Sequence, residues 1–170
     1  SFATYPNGSL GGSEGFTSST AWNNNTVSGL APNTSYSFRT RIAKRNSAGG
    51  YTAYSPVSDS VYTLASVPSS VSGTALSQTA AALSWTGNGT SYQVLNNTTG
   101  SVTSVSGVTT TIAGLSCGNS YSFKVRALNG DGVPTDYSAE TVVTTNACPS
   151  GLTGGAPVRA YAPLSTQASQ

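Results

Sequence analysis

The chain has no histidine and no methionine, only two cysteines, and charged side chains at 7% of its 170 residues. Each scarcity closes off a kind of chemistry. Histidine is the commonest general base near neutral pH, the commonest metal ligand and the usual partner of a serine or cysteine nucleophile. An ordinary soluble domain is about one quarter charged; here Ser, Thr, Asn and Gly take the surface positions, which gives a neutral, hydroxyl-rich exterior. The net charge of +2 is too small to recruit nucleic acid or an anionic membrane surface. No apolar run approaches the roughly 18 residues of a spanning helix, so membrane insertion is not expected. The five acidic residues, Glu14, Asp59, Asp131, Asp136 and Glu140, form no acid/base pair in the sequence. Asp131 and Asp136 fall short of the six to eight oxygens calcium usually takes, and "NGDG" around Asp131 reads as turn chemistry. No cofactor and no catalytic residue is expected. The cysteines lack the C-x-x-C spacing of redox sites, and their use in so uncharged a chain fits an oxidising, extracellular or cell-surface compartment.

What is present is strand signal. Short runs of Val, Thr, Tyr and Phe alternate with small polar residues, and Gly, Asn and Pro clusters punctuate them, with no sustained helical period. The class is all-β. "GLAPNTSYSFRTR" from Gly29 and "GLSCGNSYSFKVR" from Gly114 state nearly the same thing twice, and a fixed internal period marks a repeating architecture. In the later copy, strands are expected at 69–76, 80–85, 91–95, 101–106, 109–112, 121–128 and 141–145. Seven short strands at this spacing indicate an immunoglobulin-like sandwich, with Trp85 as its core anchor. Along the sixth strand Tyr121, Phe123, Val125 and Ala127 share one face and Ser122, Lys124 and Arg126 the other. The earlier copy alternates in the same way, Tyr36, Phe38, Thr40 and Ile42 against Ser37, Arg39 and Arg41. "YTAYS" at Tyr51 echoes "PTDYS" at Pro134 before a last strand expected at 60–64.

At L-x-P-N-T-x-Y-x-F-x-x-R, its counterpart from Leu115 to Arg126, and the later N-x-x-G…Y-S, the chain resembles fibronectin type III domains, particularly tandem copies in secreted bacterial proteins. The resemblance implies tandem fibronectin type III sandwiches: a partial domain over 1–65 lacking its first two strands, a complete one over 66–149, and 150–170 as a linker or the start of a third repeat. It makes Tyr36 and Tyr121 the tyrosine corners of the two copies. The strands flanked by Cys117 and Cys148 are antiparallel neighbours in that fold. Pairing Tyr121 with about Thr145 brings the two cysteines to one level, which favours a disulfide over two free thiols. Its counterparts in the first copy are Pro32 and, approximately, Ala65. The third strand of the first copy is expected near residues 1–5, so the sheet beside Tyr36, Phe38 and Ile42 is open unless something covers it; Trp22 comes too late to be the missing anchor.

Several surface readings follow. Arg39, Arg41, Lys44 and Arg45, echoed by Lys124 and Arg126, form a polyanion-contact stripe or a solvated strand face. Val158, Tyr161 and Leu164 in the tail form a strand-donor segment that completes a neighbour's sandwich, or else part of a spacer. Sequons stand at Asn7, Asn24, Asn33, Asn88, Asn96 and Asn97. Three functions remain open: a non-catalytic structural or adhesive spacer of a multi-repeat surface protein; the accessory region of a secreted polysaccharide-degrading enzyme, with Tyr51, Tyr54, Tyr62 and Tyr137 stacking on sugars; and a filament subunit completed by strand exchange. The corresponding partners are neighbouring repeats or identical subunits, and extracellular polysaccharide.

Overall fold

Period-2 alternation puts apolar side chains on one face of each strand, and two such faces bury each other. The computed structural model describes residues 27–40 and 52–149, with the strand backbone at 2–6 and 14–15. Trp22, Arg41, Ile42, Lys44, Arg45, Tyr51 and the tail carrying Val158, Tyr161 and Leu164 lie outside the described residues.

In 66–149 the strands are β5 (Ser69–Ala75), β6 (Ala80–Thr86), β7 (Ser91–Asn96), β8 (Ser101–Val105), β9 (Thr109–Ala113), β10 (Ser120–Leu128) and β11 (Thr141–Thr144). They form two antiparallel sheets, β5-β6-β9 and β11-β10-β7-β8. The inward residues are Ala81, Leu83 and Trp85 from one sheet and Tyr92, Val94, Tyr121, Phe123, Val125, Ala127 and Val143 from the other. Phe123, Leu83, Val94 and Val125 are wholly out of water, and each such burial contributes about 1.5–3 kcal/mol. Trp85 meets the Tyr92 ring edge-on, centroids 5.4 Å apart; its indole N–H finds no acceptor among the described residues, so the ring serves as an apolar body.

The strand ends depart from the sequence reading by one residue at most. The register departs by more. Tyr121 pairs with Val143, two residues short of the expected Thr145. The same register runs on past the strand ends, where the Thr145 N–H donates to Asn119 O at 3.0 Å.

The strands described before residue 66 follow the order of the larger of these sheets. β1 (Phe2–Pro6), β2 (Glu14–Gly15), β3 (Ser35–Thr40) and β4 (Val61–Tyr62) form one sheet in the order β2-β1-β3-β4. That is the order of β8-β7-β10-β11, with Phe2 opposite Thr40 where Val94 stands opposite Val125. The last strand is shorter than the expected 60–64. Hydroxyl groups continue its pairing: Thr40 N–H donates to Ser55 Oγ at 3.1 Å and Phe38 N–H to Ser58 Oγ at 2.9 Å. Tyr36 is buried and Phe38 half-buried.

Candidate functional site at the turn end of each unit

The repeated sequence builds one repeated object. In 66–149 the turn 116–119 leads into β10, and residues 145–148 follow β11. Thr145 joins them: its hydroxyl donates to Ser116 O at 2.7 Å and accepts the Asn119 N–H at 3.1 Å. Gly118 N–H donates to Asn146 O at 2.9 Å. Ser116 N–H donates to the Tyr121 hydroxyl at 2.8 Å, which holds that phenol below the usual tyrosine range, burial pulling the other way more weakly.

Every one of these bonds recurs in the first unit. The Thr63 hydroxyl donates to Ala31 O at 2.6 Å and accepts Thr34 N–H at 3.0 Å. Asn33 N–H donates to Leu64 O and Thr63 N–H to Thr34 O, each at 3.0 Å. Ala31 N–H donates to the Tyr36 hydroxyl at 3.0 Å. A left-handed residue is required one place after the Pro/Cys position, and it is Asn33 (φ 47°) in one unit and Gly118 (φ 66°) in the other. Asn and Gly are the residues that adopt it at least cost.

The expected disulfide is formed. Cys117 and Cys148 are joined with Cα atoms 5.0 Å apart, closing a separation of 31 residues. The matching bonds fix its counterparts more firmly than the sequence did: Leu64 takes the place of Asn146, so Cys148 corresponds to Ser66 and not to Ala65. Ala65 is buried in the core of the following sandwich.

The described members of the cationic stripe, Arg39, Lys124 and Arg126, are engaged within the chain. The Arg126 guanidinium lies 4.8 Å from the Tyr137 ring centroid and donates from Nε to Gln93 Oε1 at 2.8 Å. Lys124 pairs with Glu140 at 3.6 Å. Arg39 lies 5.2 Å from the Tyr54 centroid. Those two tyrosines therefore offer at most one free ring face each, and Tyr62 is half-exposed. From Ser60 to Phe123 no residue is charged, so no extended cationic track crosses domain 66–149. Asn129 Oδ1 accepts the N–H groups of Asp131 and Val133 at 3.1 and 2.8 Å, which is the turn chemistry expected of "NGDG". Among the described residues no group of three or more Cys, Asp or Glu is placed to hold a metal. No helix there is long and apolar enough to cross a membrane. A shallow hollow of about 280 Å³ on the outer face of β5-β6-β9 is lined by Ser72, Thr74, Ala82, Ser84, Thr109 and Thr111, among others. It holds neither a charged nor an aromatic group.

Thr63 and Thr145 escape a reading built on tyrosines and cysteines. Their signal is the pattern T-x-A, which follows the last strand in both units, as Thr63–Leu64–Ala65 and Thr145–Asn146–Ala147.

Residues 66–144 match the family described as Fibronectin type III domain. No curated protein matches the chain. Among solved structures, the chain is similar to the FN5 domain of Drosophila Lar at 26% identity, with 50% of this chain and 100% of that one covered and a TM-score of 0.41. It is similar to a Fn3-like protein from Clostridium thermocellum at 24% identity, covering 51% and 98%, TM-score 0.41. The Yersinia enterocolitica Family 28 exopolygalacturonase matches at 18% identity over 49% of this chain and 21% of its own, TM-score 0.42.

Proposed function

On the premise that residues 66–144 are a fibronectin type III domain, we propose that the chain is a stretch of a non-catalytic, extracellular spacer in which such units follow one another. The observation that carries this reading is the end frame made twice. Threonine, tyrosine and the turn backbone exchange the same hydrogen bonds in both units. The four strands of the first unit also follow the order of the second unit's larger sheet. Domains of this type are generally non-catalytic modules, and the disulfide suits an oxidising exterior.

Such a chain separates and displays other parts of its parent protein, and its chemically quiet surface is compatible with that role. The experiment is electron microscopy of the parent protein together with hydrolysis assays on the isolated chain. The reading expects a beaded, extended outline and no turnover of polysaccharide or peptide substrates. Turnover by the isolated chain, or a parent in which this domain stands singly, would overturn it. Saturable binding of a polysaccharide by the isolated chain would favour an accessory region of a secreted carbohydrate-active enzyme instead. Concentration-dependent polymers abolished by deleting 156–170 would favour strand exchange.

A further inference from the structure

The turn end of the first unit is half-buried at Asn33, Thr34 and Thr63, with Ala31, Pro32 and Leu64 exposed. It rests on two loops of the following domain, 87–90 and 129–132, through directed hydrogen bonds. Asn33 Nδ2 donates to Asn88 O at 2.6 Å and to Thr90 Oγ1 at 3.2 Å, while Asn33 Oδ1 accepts the Gly130 N–H at 2.9 Å. One residue away from the Thr63 frame, Tyr62 N–H donates to the Asp131 carboxylate at 2.7 Å. Asn129 Nδ2 donates to the carbonyls of Tyr62 and Thr63, both at 3.2 Å. The buried Asn129 side chain thus shapes its own loop with one end and holds the incoming strand with the other. The Tyr62 ring closes the contact: a Cβ added to Gly130 would fall 2.5 Å from it.

The connection between the units is pinned as well. Only residues 63–68 separate β4 from β5. Thr63 is held in the frame, Leu64 O accepts the Asn33 N–H, and Ala65 is packed in the next core. Ser66 N–H donates to Asn88 Oδ1 at 2.8 Å. Pro68 is buried with its φ fixed by the ring. Relative motion is the default for domains that share a modest polar interface. Here the short connection and the directed hydrogen bonds act against that motion.

We infer that the loops carrying Asn88, Thr90, Asn129, Gly130 and Asp131 are a receiving surface for the turn-and-strand end of the preceding unit. The resulting joint fixes the angle between the two, with Asn33 as its key. This rests on reading the chain as two consecutive units. Asn33 suits the place for two reasons. It tolerates the left-handed backbone that the frame requires, and its amide supplies donors and an acceptor to three different groups. At the other end of domain 66–149, Gly118 satisfies the backbone requirement without a side chain, and Thr144 stands where Tyr62 stands in the ladder. The frame is shared; the key belongs to this joint.

The test is a set of residual dipolar couplings measured on the full chain, with Asn33→Gly and Gly130→Ala. Asn33→Gly keeps the left-handed turn and removes only the amide. Gly130→Ala leaves Asn33 in place and displaces the Tyr62 ring. The native chain is expected to fit one alignment tensor across 27–40 and 52–149. Each variant is expected to split it into two, with the couplings inside 66–149 retained. Two tensors in the native chain, or one tensor surviving both substitutions, would overturn the joint while leaving the spacer reading intact. Absence of dispersed amide signals from 27–40 and 52–65 would overturn the two-unit reading itself, and the joint with it.

Discussion

The turns 31–34 and 116–119 make the same hydrogen bonds and are fastened differently. In the first unit the variable pair is Pro32 and Asn33, a stiff residue followed by one that reaches out to the next domain. In the second it is Cys117 and Gly118, a covalent staple followed by a residue with no side chain. The frame needs a left-handed backbone, a threonine hydroxyl and a tyrosine hydroxyl, and those are kept. The two positions left over are free to serve stability in one unit and docking in the other.

That comparison is broken most severely by removing the staple. In the chain-entropy view, Cys117→Ala with Cys148→Ala reopens a loop of 31 residues and costs domain 66–149 about 3–4 kcal/mol, read as a lower denaturant midpoint with a steeper slope, because the denatured chain is no longer cross-linked. Moving the staple sharpens it: Pro32→Cys with Ser66→Cys is expected to oxidise and to stabilise the first unit by up to about 3 kcal/mol. Failure to form that bridge, judged by intact mass under oxidising conditions, would show that Ser66 is not the counterpart of Cys148. Next come the shared hydroxyls. Tyr121→Phe and Thr145→Val each remove a hydrogen-bond partner from part-buried backbone groups and are expected to cost about 0.5–1.5 kcal/mol. Tyr36→Phe acts in the same direction on the first unit.

The Tyr121 phenol adds a pH signature. Its pKa in the folded chain is lowered from the usual 10.0, chiefly by the Ser116 N–H. A lowered folded-state pKa contributes stability above the unfolded value and loses it as pH falls through the folded value. The contribution is therefore absent at neutral pH and grows on approaching pH 10. Ultraviolet titration of the native chain and of Tyr121→Phe should differ by one phenol whose pKa lies below 10.0. The smallest effect is expected for Lys124→Ala, which breaks a partly exposed ion pair with Glu140 and should shift stability by no more than about 0.5 kcal/mol.

Much of domain 66–149 was legible because its strands alternate cleanly and its turns are marked by Gly and Asn. The alternation at Tyr121, Phe123, Val125 and Ala127 alone identifies the inner face of β10. The disulfide could be read because neighbouring antiparallel strands bring their ends to one level, even though the register was two residues off. That error has a plain origin: period-2 alternation fixes which face a residue takes, and a two-residue slip leaves every face unchanged. The joint was not legible. Asn33 reads as a turn residue and a sequon, and Asp131 as part of a Gly-rich turn. What sets both apart is a set of partners 55 or more residues away along the chain, and single-sequence periodicity carries nothing about those.

Native-state amide hydrogen exchange tests the central claim most directly. The frame donates four matched N–H groups in each unit: Ala31, Asn33, Thr34 and Thr63, and Ser116, Gly118, Asn119 and Thr145. Two sets of four protected amides, each set exchanging together, are the predicted result. Protection of the second set with the first exchanging at the rate of an unstructured peptide would contradict the account, because the end frame would then be built once and not twice.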